Sequence, residues 1–155
     1  RGLAFLIADG VIPSNEGRGY VLRRLLRRAA LFGRRLGLEK PFLNQIAGAT
    51  VGSMAKVYPE LQQRQDSIYQ VIELEEARFR ETLSTGLEII ESVMAKEANQ
   101  KAKKISGEDA FRLYDTYGFP VELTREIAAG HGFSMNLEDF EREMEKQRER
   151  ARAAQ

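Results

Sequence analysis

Arginine, the side chain best suited to binding phosphate, is concentrated in one short stretch of this 155-residue chain. Residues 13–35 contain seven arginines and a single acid, Glu16. A planar guanidinium can donate two parallel hydrogen bonds to a phosphate or a carboxylate, whereas Lys acts as a point charge. The stretch therefore predicts a surface that binds an anionic partner. The seven arginines are Arg18, Arg23, Arg24, Arg27, Arg28, Arg34 and Arg35.

Helical spacing separates these arginines from a set of apolar residues. At about 100° per residue, six of the seven arginines share one arc of a helix that ends near Leu36. The opposite side carries Leu22, Leu25, Leu26, Ala29, Phe32 and Leu36. We expect this apolar side to face the core and the arginine side to present six guanidiniums to solvent.

Several partners could neutralise such a face. Like charges on one helix face repel each other, and ordinary charged faces mix Glu with Lys. We therefore favour nucleic-acid phosphates as the partner. The alternatives are a helical protein-interaction module that docks an acidic surface, and a merely solvated face. A membrane is disfavoured because residues 22–36 lack Trp, and DNA because the preceding loop is too long for a helix-turn-helix.

Residues that could carry catalysis are scarce. The chain has no Cys and one His, His131, which disfavours a zinc site. Gly17-Arg18-Gly19 lacks both the third glycine and the preceding strand of a dinucleotide-binding loop, and no Walker loop is present. We therefore predict no catalytic residue and no metal site in this segment. No run of about 18 apolar residues is present, and we expect a cytoplasmic protein.

The charge is unevenly distributed along the chain. Residues 1–58 hold ten Lys or Arg and three Asp or Glu, a net charge of +7. Residues 59–155 hold fourteen and twenty, a net charge of −6. The first half is therefore the part expected to bind an anion.

The pattern predicts an all-α fold, an irregular helical bundle with one long helix at about 60–102 and short helices before and after it. Ile68, Ile72, Phe79, Leu83 and Ile90 keep helical spacing along the long helix, with Gly86 as a possible bend. Strand-like alternation is absent. Helix ends are predicted from capping residues, which are Gly37, Ser106, Gly118 and Asn136.

Two short polar segments have both an ordinary and a functional interpretation. Ser14-Asn15-Glu16 could simply cap the arginine helix. Leu113-Tyr114-Asp115-Thr116-Tyr117-Gly118-Phe119-Pro120 could be an aromatic helix terminus. Asp115 is unfavourable there, because a carboxylate in the last turn faces the negative end of the helix dipole. An acid in that position suggests a function.

Together these segments carry a resemblance to a known family. Residues 9–24, from Asp9-Gly10-Val11-Ile12 to Val21-Leu22-Arg23-Arg24, resemble the sequence that follows the class II catalytic core of bacterial-type alanyl-tRNA synthetases. Residues 110–120 resemble a second signature of that family, and residues 73–79 also match. The resemblance covers essentially the whole chain, in the right order.

The resemblance implies a helical middle domain, with residues 1–135 forming the tRNA acceptor-stem recognition domain. Residues 136–155 would be a C-terminal helix leading toward an editing domain, and a catalytic core would precede Arg1. The parent enzyme would join alanine to its tRNA using ATP with Mg, and its editing domain would hold zinc. This segment is expected to hold no cofactor and to be non-catalytic alone. Its implied partners are the acceptor stem of tRNA(Ala) and the two flanking domains.

The resemblance also implies roles for individual residues. The family reads a G·U wobble pair in the acceptor stem with an Asn and an Asp, which correspond to Asn15 and Asp115. A carboxylate can accept from the free guanine 2-amino group, and an amide can both donate and accept. The tRNA backbone would be held by Arg18, Arg23, Arg24, Arg27, Arg28 and Tyr20. Gly17 and Gly19 would permit close approach of the backbone.

Overall fold

A computed structural model describes residues 1–153 and confirms the all-α prediction. These residues form nine helices and one pair of two-residue parallel strands, in which Lys104 pairs with Ser134 and Ile105 with Met135. None of the described helices is both long and apolar enough to span a membrane. The elements are α1 (Gly2–Ala8), α2 (Gly17–Arg35), α3 (Leu43–Met54), α4 (Glu60–Gln63), α5 (Gln65–Ala95), α6 (Glu97–Ala102), β1 (Lys104–Ile105), α7 (Gly107–Tyr117), α8 (Val121–Gly130), β2 (Ser134–Met135) and α9 (Leu137–Ala153).

The chain divides into two compact units, residues 1–81 and residues 82 onward. The helix α5 contributes its first half to the first unit and its second half to the second. The last helix, α9, belongs to the second unit. The role predicted for residues 136–155, as a connection toward a further domain, stays a prediction.

The core of the first unit is formed by one face from each of its helices. Leu22 and Leu26 of α2 are fully buried, together with Ile68, Ile72 and Phe79 of α5. Ala4 and Ile7 of α1 and Leu43, Ala47 and Val51 of α3 complete this core. Gly33 of α2 lies so close to the Phe42 ring that a β-carbon there would clash with it.

The second unit is built around α7, whose two ends follow the predicted capping chemistry. Ser106 accepts a hydrogen bond from the Asp109 amide at the N-terminus, and Gly118 ends the helix with a φ of 65°. The residue after it, Phe119, is fully buried against Gly86 of α5, where a side chain would clash with the ring. The missing side chain at Gly86 therefore makes room for an aromatic ring, and the helix α5 is not interrupted at Gly86.

Aromatic rings join α7 to α9. Phe140 of α9 lies 6.3 Å from the Phe111 ring and 5.6 Å from the Tyr114 ring, centroid to centroid. The Tyr114 contact is edge-to-face, a favoured geometry for aromatic pairs. Asn136 precedes α9 and accepts a hydrogen bond from the Glu138 amide, as its predicted capping role requires.

The predicted long helix at about 60–102 is interrupted at two positions. Arg64 separates α4 from α5, and Lys96 separates α5 from α6 with an extended ψ of 135°. At the second break, Asn99 Nδ2 donates to the Val93 carbonyl at 2.7 Å, so a side chain satisfies an acceptor near the end of α5. Local side-chain bonds of this kind compete with continued helix.

Asp109 connects the junction of α5 and α6 to the start of α7. Its carboxylate accepts hydrogen bonds from Lys96 at 2.6 Å, from Ser106 at 3.0 Å and from Asn99 at 3.4 Å. Partial burial works to raise the pKa of Asp109, but the bonds from Lys96, Ser106 and Asn99 outweigh it and hold the pKa below its usual range. The ionised carboxylate therefore stabilises the folded second unit.

We expect Ser106→Ala to lower the free energy of unfolding by about 1 kcal/mol, because the cap on α7 is lost. Urea denaturation followed by circular dichroism measures this. The control is Ser92→Ala at an exposed position within α5, where Ala is a better helix former and no loss is expected. An equal loss in both variants would contradict the capping role.

The depressed pKa of Asp109 predicts an acid-sensitive contribution to stability. The contribution is present above the unfolded-state pKa of about 4 and is lost as pH falls through the lower folded-state value. Asp109→Asn should therefore lower stability at neutral pH and flatten its decline in acid. Glu88→Gln, at an exposed position in the middle of α5, should leave the decline unchanged. Unfolding midpoints between about pH 2 and 7 measure both.

Candidate nucleic-acid interface

The turn before α2 is held directly against the first turn of that helix. A β-carbon at Gly19 would clash with the Ile12 carbonyl and with the Ser14 side chain. Ser14 Oγ donates to the Glu16 carbonyl at 2.8 Å and closes the turn. The close approach predicted at Gly19 is thus made by the chain's own loop. Gly17 has a φ of 59°, and a β-carbon there would have nothing within 4 Å, so its role is the left-handed turn.

The ordinary interpretation of Ser14 and Asn15, that they cap α2, is wrong. Glu16 occupies the capping position in an extended conformation, and no side chain caps the helix there. The Asn15 side chain instead reaches the second turn of α2, where its Oδ1 accepts a hydrogen bond from Arg23 Nη1. The same guanidinium approaches the Pro13 carbonyl at 3.5 Å. Arg23 therefore binds the residue on each side of Ser14, namely Pro13 and Asn15, and stabilises the turn.

A buried carboxylate on α5 holds two of the arginines. Glu75 Oε1 accepts from Arg23 Nε at 3.1 Å and from Arg27 Nε at 2.7 Å. The side chain of Glu75 is only 3% exposed. We call Glu75, Arg23 and Arg27 the Glu75 cluster. The Glu75 carboxylate is thus an anion from within the protein that neutralises part of the arginine-rich helix.

The expectation that six guanidiniums face solvent is wrong at Arg27. Its side chain is 9% exposed, and its guanidinium lies 5.2 Å from the centre of the Phe79 ring. Burial lowers the pKa of Arg27 below its ordinary value, and the neighbouring Glu75 carboxylate opposes that shift. A buried guanidinium that is already paired cannot reach a phosphate. We therefore remove Arg27 from the residues expected to contact the tRNA backbone.

Four further residues that are predicted to contact the tRNA backbone lie at or near the protein surface. Arg18, at the start of α2, is exposed, and so is Arg28. Arg24 and Tyr20 are half-buried. Arg28 and Arg35 lie 5.5 Å and 5.4 Å from the centre of the Phe32 ring, which both of them approach. Helical spacing puts Arg24, Arg28 and Arg35 in one row along α2.

An exposed apolar row runs beside these arginines. Val21, Leu25, Phe32 and Leu36 share one side of α2, and their exposed fractions range from 38% to 80%. Leu25, Phe32 and Leu36 were expected in the core, so the buried face is rotated from the expected one. The reason is the Glu75 cluster, because turning Arg27 toward α5 carries Leu31 inward and Leu25 outward.

The second predicted reading residue, Asp115, lies in the last turn of α7 in the second unit. It is exposed and lines a cleft of about 420 Å³ between α7 and α9, together with Arg112, Thr116 and Arg150. Its carboxylate has no hydrogen-bond or ion-pair partner among residues 1–153. An exposed carboxylate is a hydrogen-bond acceptor, the kind of group that can bind a base amino group.

The structure thus connects Asn15 to Arg23, and Arg23 to Arg27 through Glu75, while Asp115 belongs to the other unit.

The single histidine, His131, follows the end of α8, and its Nδ1 lies 3.0 Å from the Ile127 carbonyl oxygen. Among the described residues, no three His, Cys, Asp or Glu side chains are grouped so as to hold a metal ion.

Sequence reasoning missed Glu75, although the sequence contains a signal for it. Glu75 lies three residues after Ile72 and four before Phe79, which is the spacing of the buried face of α5. An acid at an apolar position of a helix must be paired with a cation or hydrogen-bonded. The neighbouring Glu76 is also buried, and it accepts from the amides of Phe42 and Leu43 at the start of α3.

Arg27→Ala should destabilise the first unit by about 3–5 kcal/mol, because it removes one partner of a buried charge pair. Arg28→Ala, one residue along the same helix, should change the free energy of unfolding by less than about 0.5 kcal/mol, as exposed substitutions do. Chemical denaturation of both variants measures the difference. Equal stabilities would contradict the inward role of Arg27.

Comparison with known proteins identifies the family to which the chain belongs. Proteins named alanine–tRNA ligase are 61% identical in Dehalococcoides mccartyi and 53% identical in Pelotomaculum thermopropionicum, over 99% of this chain. The chain spans only 17% and 18% of the lengths of these two relatives. The family model described as class II (A) tRNA synthetases matches residues 1–155. The chain therefore belongs to the class II (A) family of tRNA synthetases.

Proposed function

We propose that this chain is the helical tRNA-recognition domain of an alanine–tRNA ligase, lying between the catalytic core and the editing domain. In this proposal the parent enzyme joins alanine to tRNA(Ala) at the expense of ATP in the cytoplasm. The segment contributes recognition of the acceptor stem and of its G·U pair. The sites for ATP, Mg and zinc belong to the flanking domains, and the segment alone is non-catalytic.

The observation that carries the proposal is the presentation of Asn15. Its amide is exposed on a turn that lies beside an arginine-rich helix, and Arg23 fixes its oxygen. Specific recognition of nucleic acid combines groups that hold phosphates with a few groups that reach base edges. An A-form acceptor stem has a wide, shallow minor groove, and a short polar side chain on a projecting turn can enter it.

The surface arginines and Tyr20 supply the part that is independent of base sequence. Arg18 and Arg28 are exposed and Arg24 is half-buried on the same helix. Together with Tyr20 they would contact the tRNA backbone and set the register of Asn15 on the stem. The exposed apolar row of α2 gives the flanking domains of the parent chain a surface to pack against.

Asp115 would supply the second base contact. A wobble pair leaves the guanine 2-amino group unpaired in the minor groove, and an exposed carboxylate accepts from such a group. Loop and helix ends that carry exposed polar groups commonly hold functional residues. The proposal therefore requires that Asn15 and Asp115 contact the same acceptor stem.

In the full-length enzyme, Asn15→Ala and Asp115→Ala should each reduce the preference for a G·U minihelix over a G·C minihelix. The expected loss is about 1–3 kcal/mol, the usual contribution of a discriminated base contact. The ratio of aminoacylation kcat/KM for the two minihelices measures it. Glu88→Ala removes an exposed carboxylate from α5 and serves as the control. Retention of the full preference in both variants would exclude the assignment.

Arg28→Ala should weaken binding of the G·U and G·C minihelices equally, because a phosphate contact carries no base information. The slope of log Kd against log salt should decrease by about one counterion. Filter binding across a salt series measures both effects. An unchanged slope, with tight binding to an acidic protein instead, would favour the protein-docking alternative.

A further inference from the structure

We propose that Glu75 is a specificity-positioning residue that acts through Arg23 to hold the Asn15 amide with its NH₂ group outward. The inference rests on the proposed base-reading role of Asn15 and extends it to a buried residue that does not touch RNA. It also assigns Asn15 one chemical role, that of a hydrogen-bond donor.

The first step is the connection between Glu75 and Arg23. The Glu75 carboxylate is almost fully buried and receives the Arg23 Nε–H at 3.1 Å. Arg27 on the next turn binds the same oxygen, at 2.6 Å from its Nη2. Because that oxygen is shared by two cations and is closed off from water, the Arg23 guanidinium is held in one orientation.

The second step is the connection between Arg23 and Asn15. With its Nε directed at Glu75, Arg23 points Nη1 at Asn15 Oδ1 and Nη2 at the Pro13 carbonyl. The opposite arm of the amide, Nδ2, has no protein partner among residues 1–153, and the residue is exposed. Asn15 therefore offers two N–H donors to a ligand, while its acceptor is already used.

This arrangement divides the chemistry of base recognition between the two reading residues. The free guanine 2-amino group is itself a donor, so the outward NH₂ group of Asn15 cannot bind it. Asn15 must therefore donate to an acceptor on a base edge. Of the two reading residues, only Asp115, with its carboxylate, can accept from the guanine amino group. The sequence predicts that the Asn15 amide both donates to and accepts from the base pair. Under this proposal it only donates.

The experiment compares two neighbouring glutamates of the full-length enzyme. Glu75→Gln removes the charge that orients Arg23, whereas Glu76→Gln removes a buried charge that binds the start of α3. Glu75→Gln should lower the G·U over G·C ratio of kcat/KM by roughly 5- to 150-fold, the range of one base contact. Glu76→Gln should keep the ratio of the unaltered enzyme, whatever its stability.

Two further variants keep the proposal testable if Glu75→Gln does not fold. Arg23→Met breaks the connection to Asn15 and leaves the Glu75–Arg27 pair in place, and it should reduce the ratio as strongly. Asn15→Asp keeps the accepting oxygen and removes the donor, so it should lose the preference as completely as Asn15→Ala. Adding Glu75→Gln to Asn15→Ala should change the ratio no further.

The outcomes separate this inference from the proposed function. If Asn15→Ala loses the preference while folded Glu75→Gln and Arg23→Met retain it, the positioning role is overturned and base reading by Asn15 stands. An equal loss in Glu75→Gln and Glu76→Gln would also overturn it, because general destabilisation would explain both. If Asn15→Ala itself retains the preference, the proposed function fails.

Discussion

The organisation of the first unit depends on one buried carboxylate. An ionised Glu is tolerated in a protein interior only when cations and hydrogen-bond donors compensate for the water it has lost. Glu75 obtains that compensation from Arg23 and Arg27, which lie one turn apart on α2. This requirement sets the rotation of α2 about its own axis. The exposed position of Leu25 and the buried position of Leu31 follow from it.

The adjacent Glu76 extends the same constraint to a second helix. Successive residues on a helix point about 100° apart, so neighbouring carboxylates on α5 reach different partners. Glu76 accepts from the Phe42 and Leu43 amides, where it satisfies donors at the start of α3 and matches the positive end of that helix. Two consecutive acids thus attach α2 and α3 to one central helix, and each does so through a different kind of contact.

Sequence patterns were sufficient where local chemistry determines the structure. Ser106 begins a helix, and Gly118 and Gly37 end helices, where capping rules put them, because those interactions lie within a few residues. The patterns failed where a distant partner decides. Helical periodicity predicts a surface position for Arg27, because it treats every charged residue as exposed. The break at Lys96 depends on Asn99 and Asp109, which lie downstream, and the strands β1 and β2 are too short to show alternation.

The site differs from the fold in what the sequence could supply. The resemblance to a family indicated Asn15 without saying how its amide is oriented, and an exposed amide has two orientations that exchange donor and acceptor. A hydrogen bond from a charged donor contributes about 1.5–3 kcal/mol. A bond from Arg23 of that strength favours one orientation by more than tenfold, since about 1.4 kcal/mol corresponds to a factor of ten. A charge buried on α5 thereby determines which group an uncharged side chain presents at the surface.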